Sequence, residues 1–487
     1  MSLTPKLKNA GLWQSLQIVI QVVTQFGYMA VMARLLSKSD FGLMAMANGF
    51  IGIGMLFSTA GMGTALIQHK KPTQRHMNAA FHGSVLLSLL VFIILYFSSG
   101  KIANFYNQPD LELIVKVIGF GIILNSINSV SRSLLQKHFK FKITANVTIF
   151  VTLFGYSLGV ILAFLNYGVW SLIFASLSIS LLNAIIMFYY APVKLSFKFY
   201  FKEFKELFSF GFGMILLSVN NYLASGGLNL VLGKIMIPSQ LGVFERSNQI
   251  KTLPSSYLGN VLDTIMFPAM SEIQNERERL FHVYQHSLGL VNTILMPVAL
   301  FLIVFAKEVV LILLGANWID AIIPLQIMFV VLPFSASGRM ADSVVRATGL
   351  IYRNVVRKFI YVLVLITTVS IGAYKYGLIG AAIGVTFSYF FNYAIMLILV
   401  KNIFKKRIKE IFMKPVLAGF TLSLILVPLI IISSFVTNYI VYNPVLYIFV
   451  NTLIIGGILS IIVWMKPTIL GEYIQETIIR LFPKKKR

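Results

Sequence analysis

Apolar runs of about twenty residues recur along the chain, separated by short polar segments. A helix of about twenty residues crosses the ~30 Å hydrocarbon core of a bilayer. The strands of a β-barrel would instead show alternating polarity over segments of about ten residues, and the sequence lacks such segments. The pattern therefore predicts an all-α polytopic membrane protein with about fourteen transmembrane helices.

The composition and the charge distribution agree with a membrane protein. Of the 487 residues, 57% are hydrophobic and 12% are charged, whereas a soluble domain is about one quarter charged. The absence of cysteine excludes disulfides and thiolate metal sites. The net charge is +25, but most lysines and arginines fall in segments that a cytoplasmic N-terminus would place on the inner side. This bias predicts cytoplasmic termini, a basic tail near anionic lipid and no nucleic-acid partner.

Two stretches of the chain resemble each other at a spacing of 200 residues. ARLLSKSDFGLMAMAN at Ala33–Asn48 matches GKIMIPSQLGVFERSN at Gly233–Asn248, and each would end one helix and begin the next. A later pair, NYGVW from Asn166 and KYGLI from Lys375, keeps nearly the same spacing. An even number of predicted spans separates the copies, so the halves would be parallel repeats about an axis along the membrane normal. Parallel repeats are typical of alternating-access transporters.

The predicted halves are joined by a basic, amphipathic segment that we expect on the cytoplasmic membrane surface. Two further predicted spans follow the second half and lie outside the repeat. The predicted organisation is a first six-helix lobe at 1–190, a linker at 191–208, a second six-helix lobe at 209–400, and a C-terminal part at 401–487 with helices at about 412–436 and 443–465 and a basic tail.

The connections between the predicted spans are too short to hold a catalytic domain. Outer turns such as SKSD and NYG have only a few residues, and no phosphate-binding Gly-Lys-Ser or Gly-Lys-Thr loop is present. The main enzymatic alternative, a membrane glycosyltransferase or polysaccharide polymerase, would need a large catalytic loop. We predict a transporter with no catalytic residues, no metal site and no cofactor. The histidines interpreted as interfacial packing residues are His69, His76, His82, His138, His282 and His286.

The first predicted span, WQSLQIVIQVVTQFGYM, is apolar and uncharged but contains four glutamines. At 100° per residue, the glutamines fall within an arc of about 80°. Amides on one stripe suit the wall of a hydrated cavity, and hydrogen bonding between helices is the alternative interpretation. The matching helix of the second half has a similar polar stripe, which includes Ser218 and Asn229. The predicted cavity residues are Gln14, Gln17, Gln21, Gln25, Asn221 and Ser225.

The second half also places charges where the first half is apolar. Lys251 lies about ten residues inside a predicted span, where an unpaired cation costs at least ~2.5–3.5 kcal/mol. Its anionic partner would be Glu245, Asp263 or a substrate, although Glu245 and Arg246 alternatively form a local ion pair. Arg339 lies toward the inner end of a later span. Amides and cations together suit a ligand rich in hydroxyls and phosphate.

Two segments carry the pattern of a known family. RLLSKSDFGLMAMANGFIGIGMLFSTAGMGTALIQ at Arg34–Gln68 and LGVFERSNQIKTLPSSYLGNVLDTIMFPAMSEIQNERERL at Leu241–Leu280 resemble the polysaccharide transporter family of the multidrug/oligosaccharidyl-lipid/polysaccharide exporter superfamily, in its colanic-acid and teichuronic-acid exporter branch. The resemblance implies a Wzx-type flippase of the bacterial inner membrane. Such a protein moves undecaprenyl-pyrophosphate-linked oligosaccharides to the outer leaflet for O-antigen, capsule or exopolysaccharide assembly.

On this hypothesis, Arg246, Lys251 and Arg339 attract the pyrophosphate while the amide stripe contacts the sugars. Glu245 or Asp263 would couple alternating access to H⁺ or Na⁺. The expected partners are the lipid-linked oligosaccharide, membrane lipids, and glycan polymerase or assembly proteins. Two alternatives stay open, a multidrug and toxin cation antiporter of the same fold and a structural subunit of a glycan-assembly complex.

The amide stripe yields a first test. Replacing Gln21 and Gln25 together with leucine should reduce transport without reducing membrane insertion, because leucine keeps the helix apolar but removes the groups that contact sugar. A double change to leucine at Val19 and Val23, on the opposite side of the helix, is the control. Transport by complementation and protein level in membranes would be measured together, and normal transport in the glutamine variant would favour interhelical bonding instead.

Overall fold

The computed structural model describes the backbone of residues 3–191, 196, 198–438 and 443–465. It describes their side chains except at 3–12, 14, 15, 213, 214, 216, 217, 256–265, 351, 352, 414, 418, 435, 436, 438 and 459–465. This part of the chain is helical, which confirms the predicted all-α class. A short 3₁₀ turn at Ala316–Ala321 precedes α13. The helices are α1 Leu3–Leu35, α2 Lys38–Thr59, α3 Met62–Gln68, α4 Gln74–Tyr106, α5 Asp110–Lys137, α6 Phe141–Phe164, α7 Val169–Tyr190, α8 Phe201–Ser225, α9 Gly227–Ile235, α10 Pro238–Glu272, α11 Arg277–Val304, α12 Ala306–Leu313, α13 Ile322–Phe329, α14 Leu332–Ala347, α15 Ile351–Phe404, α16 Ile408–Asn438 and α17 Pro444–Met465.

Nine helices of the described chain are long and apolar enough to cross a membrane, or up to ten if a bent pair is one span. The bent pair is Ala316–Phe329 with Leu332–Ala347. One of the nine, Arg353–Phe404, has 52 residues and leaves helical geometry at Tyr376 and Gly377. The number of fourteen spans is therefore not confirmed. The polar and charged residues of α10 explain why this helix of 35 residues is not among the nine.

Helix boundaries repeat where the sequence predicted them. α1 ends at Leu35 and α2 begins at Lys38, while α9 ends at Ile235 and α10 begins at Pro238. Both pairs of boundaries are therefore 200 residues apart, in agreement with the sequence match. Ser37 caps α2 by accepting a hydrogen bond from the Asp40 backbone, and the Asp40 carboxylate accepts one from the Ser37 backbone.

The second repeat match shares an unusual backbone conformation. Gly168 has φ 54° and ψ −132°, and Gly377, 209 residues later, has φ 56° and ψ −136°. Positive φ is strained for residues with a Cβ atom but open to glycine. The two tight turns are thus the same structure, as NYG and KYG indicated.

The contacts divide the chain into unit 1, Met1–Gly242, and unit 2, Val243–Arg487. Within unit 1, α5 packs against α2, α4 and α7, and α1 packs against α6. α8 and α9, which the sequence assigned to the second lobe, pack against α2, and α8 also contacts α3 and α4. Residues 201–208 of the predicted linker are the first turns of α8. The lobe boundaries themselves stay a prediction.

Unit 2 centres on α11, which packs against α14 and α16. The two helices outside the repeat, α16 and α17, pack against each other, and α17 also contacts α12. Apolar side chains pack together where these helices meet. The buried Asn451 amide of α17 donates to Thr437 Oγ1 of α16 at 2.8 Å. The buried residues at this meeting point are Phe305, Leu422, Leu426, Ile430, Tyr447 and Ile455.

Glycines allow α8 to approach α3 closely. A Cβ atom at Gly211 on α8 would collide with the backbone carbonyl of Ala60, and Gly61 adopts φ +64° opposite it. Small residues at such crossings let helix backbones approach and pack. Leu207 and Ile215 of α8 complete the core beneath this crossing, with Ala60, Met62, Ala65, Leu66, Ala80, Val130 and Leu134.

This crossing gives a stability prediction. Gly211→Ala should lower the free energy of unfolding by about 1–3 kcal/mol, because the added methyl group meets an immobile carbonyl. Gly27→Ala is the matched control, since a Cβ atom there meets nothing within 4 Å and alanine favours a helix by up to ~1 kcal/mol. Thermal unfolding of both purified variants in detergent would be compared. Equal stability of the two variants would contradict the close crossing.

Candidate functional site

The glutamine stripe of α1 is partly buried in unit 1. Gln17, Gln21 and Gln25 are half-buried, whereas Val19 and Val23 on the opposite side are exposed. The Gln17 amide donates to Gln21 Oε1 at 3.5 Å. Further along the same stripe, the Tyr28 ring stacks on Tyr156 of α6 with centroids 4.0 Å apart. The Gln14 side chain lies outside the described residues.

The polar stripe of α8 is less regular than the sequence predicted. Asn221 and Ser225 are exposed, and the Ser225 hydroxyl donates back to the Asn221 carbonyl at 3.1 Å. The helix is interrupted at Gly226, so Asn229 belongs to α9 and is buried. Between the two polar residues, the Tyr222 hydroxyl donates to the Asn48 carbonyl of α2 at 2.8 Å. Asn221 and Ser225 therefore flank a contact that fixes α8 to α2.

A buried polar stripe runs along α10 in unit 2. Ser247, Lys251 and Ser255 are spaced four residues apart, and each is at most 4% exposed. A spacing of four places them on one face of the helix. The Ser247 hydroxyl is buried without a hydrogen-bond partner among the described residues. The sequence prediction named Lys251 but missed the two serines, although their spacing was visible.

Lys251 meets an aromatic pair on α15. Its ammonium nitrogen lies 4.5 Å from the centroid of the Tyr389 ring. Tyr361 packs edge-on against Tyr389, with centroids 5.9 Å apart. Both Lys251 and Arg339 lie close enough to act electrostatically on the Tyr389 hydroxyl. Two of the three residues predicted to attract pyrophosphate, Lys251 and Arg339, thus act on the same tyrosine.

The other charges predicted for α10 lie on different faces of the helix. Arg246 and Glu245 are half-buried, and they precede Lys251 by five and six residues. At 100° per residue, these separations turn them about 140° and 120° away from Lys251. Local pairing of Glu245 with Lys251 is therefore disfavoured. The side chain of Asp263, the other proposed anionic partner, lies outside the described residues.

A second charged cluster, which the sequence prediction missed, joins α14 to α15. The Arg357 guanidinium is 6% exposed and lies 3.2 Å from the Asp342 carboxylate. It also donates to Asn354 Oδ1 at 3.0 Å and to Asn392 Oδ1. The Asn354 amide donates to Asp342 at 2.9 Å. The buried Arg357 is therefore held by one carboxylate and two amides.

Two further cations surround the same carboxylate. Arg346 Nε lies 3.9 Å and Lys358 Nζ 3.7 Å from Asp342 Oδ2. Tyr361 connects the two clusters, because it touches Tyr389 and lies within electrostatic reach of Arg357. Unit 2 thus contains a network of five cations and one described carboxylate. We call Lys251, Arg339, Asp342, Arg346, Arg357, Lys358, Tyr361 and Tyr389 the cationic network.

The sequence signal for the second cluster was a single acid in the basic stretch RMADSVVRATGLIYRNVVRK, residues 339–358. The positive-inside pattern explained the basic residues of this stretch without a pairing role. The spacing of Asp342 and Arg346 permits a local pair. The contacts of Arg357 with Asp342 and Asn392 depend on how α14 and α15 pack.

Comparison with known proteins agrees with this architecture. The family model for polysaccharide biosynthesis protein matches residues 31–323. The chain belongs to this family. It is also 24% identical over 394 residues to the lipopolysaccharide biosynthesis protein WzxC of Escherichia coli (strain K12), covering 79% of this chain and 78% of the relative.

Solved structures share the fold. The lipid II flippase MurJ in an inward closed conformation matches with a TM-score of 0.71 and 16% identity, covering 93% of this chain and 98% of that protein. An inward-facing multidrug resistance MATE family transporter of the MOP superfamily matches with a TM-score of 0.65 and 16% identity, covering 82% and 99%. These findings confirm the predicted family and fold class. They also confirm a multi-pass membrane transporter rather than an enzyme.

The buried cluster gives a prediction on stability. Asp342→Ala should cost about 3–5 kcal/mol, because it leaves the buried Arg357 guanidinium without its carboxylate. Glu278→Ala is the control, since Glu278 pairs with Lys406 at 3.0 Å but is mostly exposed and should cost at most about 1 kcal/mol. Unfolding of both purified variants would be followed by circular dichroism. A loss at Asp342 no larger than that at Glu278 would contradict the buried network.

Proposed function

We propose that this protein is a flippase that moves undecaprenyl-pyrophosphate-linked oligosaccharide repeat units from the inner to the outer leaflet of the bacterial inner membrane. Family membership and the flippase fold support the class of activity. The observation that supports the substrate is the cationic network, because it gathers three guanidinium and two ammonium groups in unit 2. Such groups suit a substrate headgroup with two adjacent phosphates.

The network has the chemistry that pyrophosphate needs. Arginine guanidinium groups bind phosphate oxygens bidentately, and lysine adds a compact positive charge. The Lys251 ammonium lies over the Tyr389 ring, and Arg339 acts electrostatically on the same tyrosine. In this proposal they receive the phosphates, while Asp342 orients Arg357 at the other end of the network. Arg246 would assist from another face of α10.

The sugar part of the substrate would use the amide stripe. Gln17, Gln21 and Gln25 offer both donors and acceptors, and they are only half-buried. Asn221 and Ser225 are exposed on α8 and would add similar groups. The polyprenyl tail would stay in lipid, since apolar side chains cover the outer faces of the spans.

Several parts of the mechanism complete the proposal. Alternating access of two lobes would carry the headgroup across, driven by H⁺ or Na⁺ bound at Glu245 or Asp263. Both termini would lie in the cytoplasm, in keeping with the basic residues of the inner loops. The product would pass to glycan polymerase or assembly proteins.

A multidrug cation antiporter is the second candidate, since the MATE fold is shared. The charge of unit 2 argues against it. A cavity for organic cations would need acidic side chains, whereas the network carries five cations and one described carboxylate. Resistance to cationic dyes on expression, with no effect on surface glycan, would select this alternative.

The double variant Lys251→Ala/Arg339→Ala tests the phosphate site. Each lost charge-assisted hydrogen bond is worth about 1.5–3 kcal/mol, so binding of undecaprenyl pyrophosphate to the purified protein should weaken at least about tenfold. The variant should also fail to restore surface glycan in a strain without its flippase. Lys251→Arg should retain most activity.

Lys375→Ala is the matched control, because Lys375 is an exposed lysine at the KYG turn. Protein levels in membranes would be equalised before transport is compared. Full transport by the double variant would overturn the phosphate site but not the flippase activity. No translocation by wild-type protein in vesicles with the lipid-linked substrate would overturn the activity itself.

A further inference from the structure

Two histidines and a glutamate meet at one end of unit 1. His69 follows α3, His76 lies in the first turn of α4, and Glu206 lies near the start of α8. His69 Nε2 is 3.3 Å from Glu206 Oε1, and His76 Nε2 is 3.5 Å from Glu206 Oε2. The ligand atoms all lie within 4.8 Å of one another. Two imidazoles thus converge on one carboxylate.

The two histidine–glutamate distances fall within the spacing expected for ligands around a metal ion. Histidine nitrogen and carboxylate oxygen bind zinc at ~2.0–2.2 Å, so neighbouring ligand atoms of a tetrahedral site lie about 3.3–3.6 Å apart. Two histidines and one carboxylate form a recurrent set that leaves a position for water. Imidazole favours transition metals over Mg²⁺ and Ca²⁺.

The surrounding structure holds each ligand in place. Lys137 donates to the Leu66 and Ile67 carbonyls at 2.8 and 3.0 Å and to the His69 carbonyl, which fixes the end of α3. The positive charge of the Lys137 ammonium group is therefore directed at these three carbonyl oxygens. The Thr73 hydroxyl lies 2.7 Å from His76 Nδ1. The Thr73 backbone N–H also donates to His76 Nδ1, at 3.3 Å, and the two contacts fix the orientation of the ring.

The third ligand is both anchored and accessible. Glu206 precedes Leu207, which is buried in the core that α8 shares with α3 and α4. The Glu206 side chain is 55% exposed, so a metal ion can reach the site from solvent. The nearby basic residues Lys70, Lys71 and Arg75 are exposed, and Arg75 packs over the Tyr200 ring at 5.8 Å.

We propose that His69, His76 and Glu206 bind one divalent transition-metal ion of the zinc type, which ties the start of α8 to the turn between α3 and α4. This site departs from the sequence prediction, which assigned no metal and interpreted both histidines as packing residues. The sequence did not reveal this site because Glu206 is far from both histidines in the chain. It comes close to them only through the packing of α8. The site is separate from the cationic network and does not depend on the proposed transport activity.

Zinc titration of the purified, tag-free and chelator-treated protein tests the proposal. Wild-type protein should bind one Zn²⁺ per chain, and His69→Gln/His76→Gln and Glu206→Gln should weaken that binding at least about tenfold. His138→Gln is the control, because His138 is an exposed histidine of the same unit. X-ray absorption on the zinc-loaded protein should show nitrogen and oxygen ligands at ~2.0–2.1 Å.

A second measurement separates ligand loss from misfolding. Zn²⁺ should raise the unfolding temperature of the wild type and of His138→Gln but not of the other variants, while all four proteins elute as single species in its absence. No zinc binding by wild type would overturn the proposal and leave a histidine–carboxylate contact only. Equal binding by wild type and the double histidine variant would overturn it as well, since the ion would then bind elsewhere.

Discussion

A bilayer offers no water to the polar groups of a spanning protein, so each of them must find its partner within the chain. The buried Arg357 is one example. Its guanidinium group donates hydrogen bonds to Asp342, Asn354 and Asn392. Many hydroxyl groups donate to carbonyls one turn earlier, as Thr368 does to Val364, and some pair across the α15 turn, as Thr368 does with Ser388.

The same constraint links the fold of unit 2 to the proposed transport activity. Hydrophobic helices could be packed without any buried charge, and replacing buried ion pairs with apolar residues is often neutral or stabilising. The cationic network nevertheless gathers five cations around the one carboxylate that the structure describes there. In the proposed function, the phosphates of the substrate would add negative charge to this network.

In unit 1, several contacts attach α8, a helix that begins in a basic, amphipathic segment. α8 is held by glycine-permitted backbone contact at Gly211, by the Tyr222 hydroxyl on α2 and by the core around Leu207. The histidine–glutamate site lies at the start of this helix. A metal ion there would reinforce an attachment that packing already defines.

Local signals in the sequence were sufficient for much of the architecture. Hydrophobic runs gave the helical membrane class, the SKSD cap fixed the start of α2, and the matched glycines at 168 and 377 marked the same tight turn twice. Each depends on residues within a few positions of one another, so periodicity and turn chemistry are enough to reveal it. The contacts of Lys251 with Tyr389, of Arg357 with Asp342 and Asn392, and of His76 with Glu206 join residues that are not neighbours in the chain. Those contacts depend on which helix faces pack together, and side-chain complementarity over the whole fold sets that packing.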